Sequence, residues 1–319
     1  MLLILTNSRD ATVDYLEPIL AASGIPLVRL DTDSLLGGCM LSFRLGEPRI
    51  SIGEHELYPK QVKNVWYRRP EQLRDERFGE SPEGRYALSE WSEAVEGFLA
   101  HIPKCRWMNH PSANASASHK LEQLSTAASL GFTVPETLVT QDATAARAFF
   151  DRCGGRVIAK PMSTGYVERD GANDSLIYTN KVERHHLDSS GDLVHCPTLF
   201  QQFVPKRSDV RVTVVDSDVH AVELRAVGED GMQRCDIRRN NMSDVTYADI
   251  ELPQAVDSLL RKLVAHYELR FAAIDMAVGR DGEWYFFEVN PNGQWAWLDL
   301  SGGTAIASSF VRSFANDQC

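Results

Sequence analysis

The sequence predicts an α/β protein built from lobes that mix strands and helices, and three observations carry that reading. The chain opens on a strand–helix–strand pattern. Its middle alternates short apolar runs with helical spacing. Near its end, two adjacent strands bring Asp275, Glu288 and Asn290 together. Residues 2–6 form an apolar run that reads as a buried first strand and is too short to cross a bilayer. Ala11–Ser23 has helical spacing with Gly24 placed to stop it, and Ile25–Leu30 reads as a second strand, completing one βαβ unit. Strands around Met40–Arg44, Arg49–Ile52 and Val62–Tyr67 are expected to extend the same small mixed sheet, and Ser81–His101 is helical. A polar connection around Asn109-His110-Pro111 and residues 112–118 follows. After it come a helix over His119–Leu130 stopped by Gly131, a strand at Thr137–Thr140, a helix over Ala143–Cys153 and a strand at Arg156–Pro161. Ser301–Thr304 is placed to cap a last helix, Ala305–Phe314. This organisation divides as 1–110, 111–198 and 199–319.

Composition narrows the class. At 319 residues with 43% hydrophobic and 24% charged content, the chain can bury the cores of two or three lobes. A formal net charge of -11 argues against a nucleic-acid partner, which needs clustered Lys and Arg. The six cysteines are scattered without a CxxC pair, and no charged-then-apolar leader is present, so the expectation is a reduced cytoplasmic protein without a membrane segment. His185-His186 with His195 and Cys196 fits no usual zinc spacing and reads as a solvated loop. Serine-hydrolase, zincin and P-loop motifs are absent.

The chemistry concentrates in Ala273–Ala277 and Trp284–Gly293. Glu288 and Asn290, two apart on a strand, project to one face, while Phe287 and Val289 are expected to point into a core. Asp275, Glu288 and Asn290 are hard oxygen donors without Cys or His. They suit Mg²⁺, which takes few protein carboxylates and completes its shell with waters and phosphate oxygens.

The order of a helix with Lys120, a strand with Lys160, the run Leu199–Val204 and the Asp…Glu-x-Asn pair resembles the ATP-grasp superfamily over roughly residues 110–300. The resemblance implies an ATP-grasp fold behind an N-terminal pre-ATP-grasp α/β domain. It also implies ATP and Mg²⁺, two ions in number, as cofactors. On this likeness Lys120 and Lys160 reach the phosphates and the adenine edge, and Gln201, Gln202, Phe203 and Val204 read adenine through their backbone. Asp209 lies near the ribose. Arg211, on the same strand face, either meets substrate or forms a strand salt bridge. Arg225, Arg238 and Asn241 grip terminal phosphates and an acyl phosphate, Arg238 being favoured over Arg225, so that Arg238, Arg225 and Lys160 form the expected catalytic set. Phosphoryl transfer works by positioning and charge neutralisation, which is what these cations and carboxylates supply.

A narrower likeness lies in Trp66-Tyr67-Arg68-Arg69-Pro70, in the opening Leu3-Ile4-Leu5-Thr6 and in Asn290-Pro291-Asn292-Gly293-Gln294-Trp295-Ala296-Trp297. These resemble the graspetide (microviridin-type) synthetases, ligases that join Asp or Glu side chains of a ribosomal precursor peptide to Ser, Thr or Lys side chains of the same peptide. The likeness implies a leader-plus-acidic-core peptide as partner, a leader-docking region at about Thr164–Val194, and a homodimer. Arg68 and Arg69 are candidates for the acidic core, although adjacent strand residues face opposite ways and only one can face a cleft. Trp295 and Trp297 line the site or belong to the core. Two other readings stand beside this one: a ligase adding a free amino acid to a peptide or protein tail, and a silent nucleotide-binding scaffold.

Overall fold

A computed structural model describes residues 1–34, 38–53, 55–75, 77–79, 81–163, 165–167, 169, 175–188, 190–228, 231–239 and 244–316. The first unit is β1 (Leu2–Thr6), α1 (Ala11–Ala22) and β2 (Leu27–Asp31). Asp10 caps α1 by accepting the Thr12 amide at 3.1 Å. Strands β3 (Cys39–Arg44), β4 (Glu47–Ile52) and β5 (His55–Leu57) follow, then β6 (Asn64–Tyr67), α2 (Pro82–Leu99) and β7 (Trp107–Met108). All four strands of the first sheet run parallel, in the order β2-β1-β6-β7. The expected single mixed sheet is corrected here. Strands β3, β4 and β5 close on one another as a separate antiparallel meander, because the tight turn between Arg44 and Glu47 pairs β3 with β4 directly.

The chain continues through α3 (Pro111–Ser116), α4 (Lys120–Leu130), β8 (Thr137–Thr140), α5 (Ala143–Arg152), β9 (Val157–Lys160), β10 (Tyr166–Val167), β11 (Ser175–Leu176), β12 (Asn180–Val182), α6 (Arg184–Asp188) and β13 (Thr198–Gln202). The central lobe is an antiparallel sheet ordered β12-β9-β13-β8, backed by α5 through Phe149, Val157, Leu187 and Phe200. Gly131 ends α4 in the left-handed region at φ 105°, where a side chain would be strained.

The last lobe holds β14 (Lys206–Val215), β15 (Asp218–Arg225), β16 (Thr246–Asp249), α7 (Gln254–His266), β17 (Phe271–Gly279), β18 (Trp284–Asn290), α8 (Ala296–Gly302) and α9 (Ile306–Ala315). Its sheet is antiparallel, ordered β16-β15-β14-β17-β18, with α4 and α7 on one face. The other face joins the N-terminal sheet in a shared core of Leu2, Ile4, Leu16, Trp66, Phe271, Trp295 and Phe310. Trp295 stacks on Phe310 with centroids 4.7 Å apart, and Trp66 lies 5.1 Å from the same ring.

The stretch at Asn109, expected to be a polar connection, is instead a buried pin. Asn109 Nδ2 donates to the carbonyls of Phe271 and Pro291 at 2.8 and 3.1 Å, and its Oδ1 accepts the amides of Arg270 and Phe271 at 2.7 and 2.9 Å. A buried amide with all its partners satisfied carries little desolvation penalty. Among the described residues no helix is long and apolar enough to cross a membrane. Cys39, Cys153, Cys196 and Cys235 are free thiols.

Candidate active site

A cleft of about 600 Å³ opens between the central and C-terminal lobes, with Arg69 of the N-terminal domain at its rim. Its floor is set by strand register. Arg211 on β14 pairs with Asp275 on β17, and Asp275 pairs with Glu288 on β18. The three side chains therefore stand in one row across neighbouring strands. Lys120, the first residue of α4, reaches the far end of that row. Arg211 Nε lies 2.9 Å from Asp275 Oδ1, and Lys120 Nζ lies 2.8 Å from Glu288 Oε2. Two adjacent carboxylates are thus flanked by a cation at each end.

Gln123 holds α4 in that position. Its Nε2 donates to the carbonyls of Ala117 and Val289 at 2.6 and 2.9 Å, while its Oε1 accepts the Val289 amide at 3.1 Å. This buried glutamine, absent from the sequence-based set, fastens the helix carrying Lys120 to the strand carrying Glu288.

The alternation expected of β18 is broken. Asp275 pairs with Glu288 but Met276 pairs with Phe286, so Phe287 is the extra residue of a bulge. Phe287 lines the cleft rather than the core, and Lys160 Nζ lies 5.6 Å from its ring centroid. Val289 does enter the core. A second bulge, at Arg207 on β14, brings Lys206 and Asp209 to one side although they are three apart. Lys206 Nζ then donates to Asp209 Oδ1 at 2.6 Å, and Gln233 Nε2 donates to Asp209 Oδ2 at 2.9 Å. Lys206, a further cation of the cleft, was missed because period two puts it on the opposite face from Asp209.

Electrostatics follow from this crowding. Burial pushes the Lys160 ammonium down to about 8, with Glu288 acting in the opposite direction. Burial and the neighbouring Glu288 raise the Asp275 carboxyl, only partly offset by Arg211. For Glu288 burial acts upward as well, but Lys120, Lys160 and Arg211 outweigh it and hold its carboxyl low.

The remaining expected residues divide by position. Gln201, Gln202, Phe203, Val204, Asp209, Arg238 and Asn290 all line the cleft. Gln201 is pinned by Nε2 donating to Thr137 Oγ1 at 2.9 Å, and among the described residues its Oε1 has no hydrogen-bond partner. The amides of Gln202 and Phe203 are taken by the carbonyls of Glu136 and Arg156 at 2.8 and 2.9 Å. Arg225 does not line the cleft. It is 49% exposed and pairs along its own strand with Glu223, Nη2 to Oε2 at 2.9 Å, because residues two apart share a strand face. Asn241 lies outside the described residues, as do parts of the expected leader-docking region at 164–194; the described part includes the small β10–β11 hairpin.

Arg68 and Arg69 part as alternation requires. Arg68 is 0% exposed, with Nε 3.5 Å from Asp10 Oδ2 and its guanidinium donating to the Asn292 carbonyl, so it ties domains together and is not placed to meet substrate. Burial lowers it to about 10 despite Asp10. Arg69 faces the cleft and also donates to the Asn292 carbonyl, at 3.3 Å. Trp295 is core, and Trp297 lines the cleft with the Arg211 guanidinium 6.0 Å from its ring centroid.

Asp275, Glu288 and the Asn290 amide form an oxygen-only donor set on a rigid floor, the chemistry that a hard cation sharing phosphate oxygens requires. Among the described residues no group of three or more His, Cys, Asp or Glu is placed to hold a metal, and His185 and His186 lie in α6.

Comparison with known proteins agrees with this architecture. Residues 1–115 match the MvdD pre-ATP grasp domain and residues 117–314 match the RimK-like ATP-grasp domain. A search of curated proteins finds no match. Among solved structures, the macrocyclase MdnC from Microcystis aeruginosa MRC, bound with precursor peptide MdnA, is 25% identical, with a TM-score of 0.84 over 99% of each chain. A Chryseobacterium gregarium RiPP-associated ATP-grasp ligase in complex with ADP and a leader and core peptide is 27% identical, with a TM-score of 0.84 over 98% of this chain and 96% of that one. The macrocyclase MdnB from Microcystis aeruginosa MRC is 28% identical, with a TM-score of 0.73 over 98% of each chain. Matched to the RimK-like model over well more than half of its length, and carrying the cleft between its second and third lobes, the chain belongs to the ATP-grasp family.

Proposed function

We propose that this ATP-grasp ligase crosslinks side chains within a ribosomally made precursor peptide, forming macrocyclic esters or amides with release of ADP and phosphate. The observation that carries the reading is likeness over the whole chain, N-terminal domain included, to macrocyclases solved with precursor peptides, joined to a cleft whose cations and carboxylates suit phosphoryl transfer.

In this reading adenine sits against Phe203, paired with the Val204 amide, since the Gln202 and Phe203 amides are already engaged. Lys120, Lys160 and Arg238 take the phosphates, and Asp209 lies toward the ribose. Asp275, Glu288 and Asn290 would hold Mg²⁺, two ions in our reading, which when bound neutralises phosphate charge and favours displacement at phosphorus. Arg69 and Arg211 face the space where a peptide carboxylate would lie, and a guanidinium fork matches that group. The carboxylate oxygen attacks the terminal phosphorus of ATP to give ADP and an acyl phosphate. A hydroxyl or amine of the same peptide then attacks the acyl carbon, phosphate leaves, and the nucleophile's proton is released. Closed walls matter here because an exposed acyl phosphate would be lost to water. We further propose that the three lobes span 1–110, 111–198 and 199–319, that residues 164–194 dock the leader, and that the enzyme acts as a cytoplasmic homodimer.

The test is mass spectrometry of the Asp/Glu- and Ser/Thr/Lys-rich peptide encoded beside this gene, after incubation with the protein, ATP and Mg²⁺. Loss of one water per link, dependent on ATP, is expected. A gain equal to an added amino acid would replace this reading with tail addition, and an unchanged peptide without ADP would refute it.

A further inference from the structure

Between β15 and β16 the C-terminal lobe reaches across to the central lobe with one short stretch, Asp236–Arg239. The Asp236 carboxylate is buried and carries a donor at each of four positions. Its Oδ2 accepts the Thr179 amide of the central lobe at 3.0 Å and Arg238 Nη2 at 2.6 Å. Its Oδ1 accepts Arg238 Nε at 2.9 Å and the Arg238 amide at 3.1 Å. The adjoining side chains tighten the same junction. The guanidinium carbons of Arg238 and Arg239 lie 5.7 and 5.2 Å from the Tyr178 ring centroid, and Arg239 donates to Asn180 Oδ1. Tyr178, Thr179 and Asn180 are thus gripped by three residues of the opposite lobe, Asp236, Arg238 and Arg239. Thr179, Asp236 and Arg238 all border the cleft.

We propose that Asp236 is a positioning residue: it latches the C-terminal lobe to the central lobe beside the cleft and, through the same carboxylate, holds the Arg238 guanidinium ready for the terminal phosphate. This rests on the reading of Arg238 as a phosphate-gripping cation. A salt bridge that served only the fold would have no need of the Thr179 amide. Here one carboxylate joins the backbone of one lobe to the working side chain of the other, so the group that holds the Arg238 guanidinium is itself placed relative to the central lobe by the Thr179 amide. Charge-assisted, forked hydrogen bonds fix an arginine that would otherwise lose rotamer freedom when ligand arrives.

The experiment compares binding of AMPPNP and ADP, each with Mg²⁺, to the full-length protein by calorimetry. The variants are Asp236→Asn, Arg238→Ala and the double variant. Asp236→Asn is nearly isosteric and retains an acceptor for Thr179. It is expected to weaken AMPPNP about 10-fold while ADP changes by less than about 3-fold, and to add nothing in the Arg238→Ala background. Equal weakening of both nucleotides, additive losses in the double variant, or unchanged AMPPNP affinity in Asp236→Asn while Arg238→Ala loses it, would overturn the latch alone. Unchanged AMPPNP affinity in Arg238→Ala would instead remove the phosphate role of Arg238, and the latch's purpose with it. Should Asp236→Asn fail to fold, Tyr178→Leu goes through the same cycle, with the same non-additivity expected and additivity counting against the proposal.

Discussion

Arg211 and Asp275 stand directly opposite each other on neighbouring strands, Nε 2.9 Å from Oδ1, and Glu288 is the next side chain in the same row. Two carboxylates side by side need the flanking cations to stay ionised together. Arg211→Met should therefore leave the fold intact, since the pair is partly solvated, while ADP release with peptide, ATP and Mg²⁺ falls by about 10²–10³-fold. Asp275→Asn should do the same and also abolish the Mg²⁺-dependent rise in Tm that ADP gives the parent protein. Parent-like turnover in either variant would remove this row from the chemistry.

The adjacent arginines Arg68 and Arg69 should behave oppositely. Removing Arg68 leaves Asp10 buried without its charge partner, a loss of roughly 3–5 kcal/mol, visible as a large drop in Tm. Removing Arg69 from the cleft rim should change stability by about 0.5 kcal/mol or less and instead raise the KM for peptide. Paired thermal melts and peptide titrations of Arg68→Ala and Arg69→Ala check this, and similar melts for the two would be inconsistent with their positions.

Gly293 follows the turn that ends β18, and a Cβ placed there would sit 2.3 Å from Ala273 Cβ and 3.4 Å from Arg211 Nη1. Gly293→Ala should cost about 1–3 kcal/mol through this overlap. Because the displaced groups adjoin the Arg211–Asp275 row, turnover should fall along with Tm. An alanine variant with the parent's Tm and turnover would show that the backbone yields there.

His220 is packed on Ser309 of α9, Nε2 2.8 Å from Oγ, with Asp218, Asp249, Asp299 and Arg312 as its charged surroundings. Burial lowers it below the usual value near 6.5, the nearby aspartates only partly compensating. The unfolded chain then binds the proton more readily than the folded one. Stability is full above about 6.5 and declines as pH falls from there through the folded-state value. Urea melts at stepped pH should show a smaller acid loss for His220→Gln than for the parent, with equal slopes above neutrality. Parallel acid losses would place the titration elsewhere.

Much of this was legible from local pattern. The opening βαβ unit, helix α4, and the carboxylates of β17 and β18 follow from periodicity and from residue types that have few uses side by side. What escaped had non-local or sub-strand causes. Phe287 and Lys206 face the cleft because single-residue bulges reset the alternation, and nothing in the residues themselves announces a bulge. Alternation required Arg68 and Arg69 to part, but which one was buried depended on Asp10 and Asn292, distant in sequence. Asn109 reads as a polar linker residue until the strand at Phe271 is folded over it. Arg225 keeps a basic residue in an expected place, yet Glu223 two residues earlier claims it.

The most direct measurement uses the precursor peptide with its Asp and Glu carboxylates enriched in heavy oxygen, incubated with the protein, ATP and Mg²⁺, and follows the label into inorganic phosphate. Ligation through an acyl phosphate predicts one labelled oxygen in phosphate for each crosslink formed and for each ADP released. Crosslinked peptide accompanied by unlabelled phosphate would contradict the acyl-phosphate route, and labelled phosphate without any crosslink would contradict the assignment as a peptide macrocyclase.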